Sequence, residues 1–448
     1  MKQRTTLIKN AKIVNEGNVF EGDILIEGEF ISEVSESISA KSADVVVIDA
    51  EGNYVFPGAI DDQVHFREPG LTHKAEIETE SRAAIAGGIT SFIEMPNTNP
   101  QTTTVEKLEA KFDIAAEKAY ANYSFMFGGT NDNLDEILKV DPKGVAGLKL
   151  FLGSSTGNML VDDPQILEKI FSSTDMVISV HCEDEATIRK NLQDHIDEYG
   201  EDIPIEKHPV IRSEEACYLS SSRAIELAKK TGARLHVFHL STGKETNLFT
   251  NKIPLKDKKI TAEVCIHHLW FSDEDYKKKG THIKWNPAVK KASDRDQLWE
   301  ALLDDRIDVI ATDHAPHTLD EKASVYTKAP SGGPLVQHAL VAMIEMYHMD
   351  KISLPKIAEK MAHNPAILFD VEKRGYIREG YYADLVIVDI NNPWTVNKEN
   401  ILYKCGWSPF EGTTFKSRIT HTILNGTLVY NNFKVLDVKA AKRLTFDR

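Results

Sequence analysis

The sequence predicts an α/β protein: a (β/α)8 TIM-like barrel carrying a small β-sandwich domain formed from both chain ends. Three observations lead there. Strand-like runs alternate with helical patterns eight times between residues 56 and 366. Short β-like runs fill residues 1–55 and return in residues 367–448. Several central runs end on a residue able to hold a metal or a substrate, as expected of barrels that build active sites at the C-terminal ends of their strands.

The opening segment has β-like runs at 6–8, 12–14, 23–26 and 45–48, broken by Glu16-Gly17-Asn18 and Glu27-Gly28. From Pro57 onward eight candidate strands follow, at 59–65, 89–95, 122–127, 145–151, 176–181, 233–239, 259–265 and 307–313. Helical patterns separate most of them, for example at 76–86, 105–119, 214–230 and 294–303. A doubly wound open sheet is the alternative, and both length and strand count favour the barrel. After residue 366 the texture reverts to β, at 382–388 and 419–424, so both ends are expected to share one accessory sheet.

Composition narrows the function classes. A hydrophobic share of 42% and a charged share of 27% are those of a globular protein in water. No run approaches the ~20 apolar residues of a membrane span, and no apolar segment follows the basic start as in a secretory signal. The four cysteines lack metal-type spacing and are too few for a disulfide framework, which suggests a reduced, cytoplasmic protein. A net charge of −15 argues against a nucleic-acid partner but not against a small anionic substrate in a cleft.

The strand ends carry the chemistry. His65 lies in Gln63-Val64-His65, where positions 63 and 65 share one face of the strand. A lone strand-end histidine is more often structural, but His181 and His239 end two further strands, which points to metal ligation. Lys149 sits in an otherwise apolar run, so burial favours its neutral amine. Such an amine can capture carbon dioxide and bridge two cations as a carbamate, although pairing with an acid is the plainer role. Asp313 closes the eighth run beside His314 and His317, placing a carboxylate where a ligand or general base is needed, with helix capping as the alternative. Arg67 and Asn97 follow the first and second strands and suit a carboxylate grip. Ser331-Gly332-Gly333-Pro334 reads as a loop near the barrel mouth.

Together the segments His65-Phe66-Arg67-Glu68-Pro69-Gly70, Glu94-Met95-Pro96-Asn97-Thr98, Gly147-Leu148-Lys149, Val180-His181-Cys182-Glu183, Phe238-His239-Leu240-Ser241 and Thr312-Asp313-His314-Ala315-Pro316-His317 resemble the dihydroorotases of the amidohydrolase superfamily. The resemblance runs from about residue 10 to about 427. It implies a zinc enzyme interconverting N-carbamoyl-L-aspartate and L-dihydroorotate in pyrimidine biosynthesis. It further implies one or two Zn2+ per chain held by His65, His181, His239, Asp313 and carboxylated Lys149. Asp313 is implied as the proton carrier, and Arg67, Asn97, His317 and Asn286 as substrate contacts, with His267 and His268 near the ring. A homodimer is expected, with aspartate transcarbamoylase as a candidate partner. Allantoinases and hydantoinases are the nearest alternatives, and a catalytically inactive subunit is a third. Gln63 departs from the family's H-x-H pattern by occupying its first histidine position.

Overall fold

A computed structural model describes residues 5–40, 44–153 and 159–448. At its centre eight parallel strands pair in chain order. They are β1 (Ala59–Val64), β2 (Ile89–Glu94), β3 (Asn122–Gly128), β4 (Gly147–Phe151), β5 (Ile178–His181), β6 (Leu235–Val237), β7 (Ile260–Cys265) and β8 (Val309–Ala311). A parallel bridge between Val64 and His314 brings β8 back to β1, and the His65 N–H donates to the His314 carbonyl at 2.7 Å. Each strand overlaps the run that predicts it, but most are shorter. The reason is local: His239 and Asp313 leave extended geometry for φ of 41° and 46°, so the ladder stops just before them.

The helices form where amphipathic spacing meets a capping residue. In Glu214–Thr231 the buried residues Cys217, Ser221, Ala224, Ile225 and Ala228 recur every three or four positions. Ser213 caps its start by accepting from the Ala216 N–H, and Gly232 ends it in the left-handed region.

Both chain ends do share a sheet, of nine strands. Its seam is the antiparallel pairing of Tyr54–Pro57 with Leu385–Asp389, which joins Pro57 to Leu385 and Tyr54 to Val388. The runs at 6–8 and 12–14 prove to be one strand, Thr5–Asn15, kinked by a register shift between Ile8 and Ala11 with Asn10 at φ 56°. Beyond the sheet, the chain returns to the barrel. The Lys442 carbonyl and Leu444 N–H bond to Tyr123, and Leu444 and Phe446 pack against Ile60, Ala146 and Val177 at the strand starts. That seals the end opposite the strand-end residues. Among the described residues no helix is long and apolar enough to cross a membrane.

Candidate active site

One cavity of about 200 Å³ lies at the C-terminal ends of the strands, and its wall includes His65, Arg67, Asn97, Lys149, His181, His239, Asn286, Asp313 and His317. Gln63 lines it too, as the shared face of positions 63 and 65 predicts. Phe151, Trp285, Ala315 and Pro330 complete the wall without a role expected from sequence, and Ser331 joins them from the loop expected near the mouth. His267 and His268 stand outside it: His267 stacks on Trp285 at 4.3 Å, and His268 bonds the Pro287 carbonyl.

Lys149 is buried on β4, its ammonium 4.1 Å from the Phe238 ring centre and 5.0 Å from that of Phe151. Burial pulls its pKa down to about 7 against the opposing pull of Glu263 and Asp313. Neutral amine is therefore abundant near neutral pH. Asp313 moves the other way, pushed up to about 7 by burial although Lys149, His181 and Arg67 favour its charge. Acid and base forms of both groups thus coexist at the same pH.

His181 and His239 meet edge to face with Nδ1 of the first 3.0 Å from Nε2 of the second. The other nitrogen of His181 lies 2.9 Å from the Glu183 carboxylate, which accepts its proton and orients the ring. Burial pushes Glu183 up, but Arg212 and His181 outweigh it and hold its pKa at about 2, so the orienting group is a carboxylate. Burial, then His181 and Lys149, keep His239 well below the usual imidazole range, and its Nδ1 has no partner. Across the cavity His65 donates from Nδ1 to the Asn97 side-chain oxygen at 2.9 Å, which turns Nε2 toward Asp313 at 3.1 Å. Two imidazoles on one side, and an imidazole with a carboxylate on the other, are donor sets that suit zinc. The facing nitrogens His181 Nδ1 and His239 Nε2, 3.0 Å apart, converge as the pair such an ion would take.

Arg67 is buried at φ 69°, its Nε donating to the Pro316 carbonyl and Nη2 facing His317 Nε2, both at 3.1 Å. Burial and the neighbouring Arg67 hold His317 neutral. The loop bearing His317 is braced by tryptophans: Trp407 donates to the His317 carbonyl at 2.7 Å and Trp285 to the Asp313 carbonyl at 3.3 Å. Gly333 is required there, since a Cβ would sit 2.6 Å from the Trp285 ring.

Residues 54–429 match the amidohydrolase family. The chain belongs to that family. It is 33% identical over 414 residues to a dihydroorotase of Halobacterium salinarum, spanning 91% of this chain and 93% of the relative. Against a dihydroorotase of Staphylococcus epidermidis the identity is 33% over 440 residues, 96% of this chain and all of the relative. Among solved structures, an L-hydantoinase (dihydropyrimidinase) from Arthrobacter aurescens superposes with a TM-score of 0.93 at 27% identity, covering 98% of this chain and 99% of the other. The resemblance to dihydroorotases is thereby borne out, and so is the reading as a cyclic amide hydrolase.

Two features of this amidohydrolase were not legible in its sequence. Glu183, two residues past His181, orients that imidazole, and Glu263 on β7 bonds the His239 N–H at 3.0 Å. The motif Val180-His181-Cys182-Glu183 held the signal for the first. Gln63 is not isolated either: its side-chain oxygen lies 3.7 Å from the Cys265 sulfur on β7.

Proposed function

We propose that this amidohydrolase is a zinc-dependent dihydroorotase, opening L-dihydroorotate to N-carbamoyl-L-aspartate and closing it again in pyrimidine biosynthesis. The observation that carries the reading is Arg67. Among the described residues the guanidinium makes two protein hydrogen bonds and lines a small cavity beside a neutral histidine, so it has N–H groups to offer an anion. A ring carboxylate is what dihydroorotate has and simple hydantoins or dihydropyrimidines lack.

His181 and His239 would hold one metal and His65 with Asp313 another, with Lys149 between them as a carbamate. Its neutral amine adds to carbon dioxide and releases one proton, turning a buried neutral group into an anion; from the ammonium form two protons leave in all. Bound zinc supplies a polarised amide carbonyl and water made acidic near neutral pH. The chain's own groups do the rest. Asp313 accepts the proton from the attacking water and returns it to the ring nitrogen as the C–N bond breaks. Asn97 fixes the His65 tautomer, Arg67 with His317 grips the carboxylate, and the unpartnered Asn286 side-chain oxygen can accept a ring N–H. A cytoplasmic homodimer, with aspartate transcarbamoylase as candidate partner, goes with this reading.

Zinc analysis of purified protein beside turnover of dihydroorotate tests it. Turnover with bound zinc supports it. Turnover of hydantoin or dihydrouracil alone points to the hydantoinase alternative, and neither zinc nor turnover points to an inactive subunit.

A further inference from the structure

Below the cavity, three fully buried side chains from separate strands face one another: Asp62 of β1, His236 of β6 and Glu263 of β7. A register irregularity between Asp61 and Val64 interrupts β1 at this point, next to Gln63. The His236 Nε2 lies 3.3 Å from Asp62 Oδ2 and 3.8 Å from Glu263 Oε2. Yet both Asp62 oxygens, that nitrogen and that Glu263 oxygen all lack a hydrogen bond. Four orphaned polar atoms aimed at one point in a packed interior call for an occupant.

The tautomer sharpens the point. The Thr261 hydroxyl donates to the Leu235 carbonyl at 3.2 Å, so at 2.8 Å from His236 Nδ1 it can only accept. Neutral His236 therefore carries its proton on Nδ1 and turns the Nε2 lone pair toward two carboxylates. Phe238 and Phe369 flank the ring edge to face, at 5.3 and 5.8 Å, and hold it there. Acceptors facing acceptors are stable only around a metal cation or a shared proton. For tetrahedral zinc bound at about 2.1 Å, neighbouring ligand atoms stand about 3.4 Å apart, close to the spacing found.

We propose that Asp62, His236 and Glu263 form a structural site for a divalent transition ion of the zinc class, distinct from the strand-end residues lining the cavity. One imidazole and two carboxylates are ligands that such ions accept. The site would tie β1, β6 and β7 together. It would also brace His239 from below, because the second Glu263 oxygen bonds the His239 N–H at 3.0 Å and the Cys265 thiol at 3.2 Å. The rival occupant is a proton, giving an imidazolium between the carboxylates.

The test is anomalous diffraction, above and below the zinc edge, from crystals of the full chain grown with zinc. The proposal expects a peak about 2.0–2.2 Å from the three ligand atoms. Asp62→Asn should remove that peak and one zinc per chain while peaks at the strand ends remain. No peak at the triad in the unmodified protein, whatever is bound at the strand ends, overturns it in favour of the proton. The unmodified protein decides the matter alone if Asp62→Asn does not fold, and a peak without dihydroorotate turnover would still uphold this site.

Discussion

Arg67→Met removes the guanidinium while keeping an unbranched apolar stem in a buried position. Two of the five guanidinium N–H groups are spent on Pro316 and His317, which leaves enough for a two-pronged grip on a carboxylate. Each hydrogen bond to a charged group contributes about 1.5–3 kcal/mol. Losing two, with partial replacement by water, costs about 3 kcal/mol, or roughly a 100-fold drop in kcat/KM at 1.36 kcal/mol per decade. Dihydrouracil offers the same ring amide without the carboxylate and should change by no more than about threefold, the scale of packing effects alone. The assay is kcat/KM for ring opening of both substrates by both proteins, with metal content measured in parallel. Arg67→Lys should fall between, since an ammonium keeps the charge and loses the fork. Equal losses on both substrates, with metal retained, would refute the carboxylate grip and leave Arg67 as a loop anchor through Pro316.

Lys149→Ala should abolish turnover, and a short carboxylic acid at high concentration should restore part of it; near-normal rate and metal content would rule out the carbamate. Gln63→His should raise the zinc retained after a fixed chelator dialysis, on the scale of the 10–100-fold changes seen for metal-site neighbours; two firmly held strand-end zincs in the unmodified protein would show that nothing is missing. Metal-free protein should lose stability relative to Asp313→Asn as pH rises from about 4 to 7. The folded state keeps the Asp313 proton to about pH 7 while the unfolded chain releases it near 3.8, so unfolding releases a proton within that window. The span of about three pH units sets an upper limit of about 4 kcal/mol, read from urea midpoints with chelator present; a flat difference would place Asp313 in a wetter setting.

The barrel could be read in the sequence because parallel strands buried on both faces are near-continuous apolar runs, and the residues breaking that pattern at their ends had to face the mouth. His65, Lys149, His181, His239 and Asp313 were visible for that reason. The Asp62–His236–Glu263 triad was not. Its members lie within strands rather than at their ends, and only closure of the barrel brings residues about 200 positions apart face to face. Orientation was equally hidden: the sequence offers Asn97 as a substrate contact, and the fold also commits its oxygen to His65. The His267-His268 pair misled through mere adjacency to β7, since the short helix Ile266–Trp270 turns both rings into the packing around Trp285.

The seam between Tyr54–Pro57 and Leu385–Asp389 sets an order of events during synthesis. Pro57 and its partner Leu385 stand 328 positions apart (385 − 57). At about 5–20 residues per second the first five strands of the sheet wait roughly 15–65 s on the ribosome for the rest. Throughout that interval Tyr54–Pro57 presents an unpaired edge, the kind of surface that recruits strands from neighbouring chains. Pro57, with no N–H to offer, blunts that edge at the end from which the barrel will grow. A nascent chain stalled in that interval should therefore be the form most dependent on chaperones, and slowing translation between residues 58 and 384 should lower soluble yield more than slowing it after residue 431.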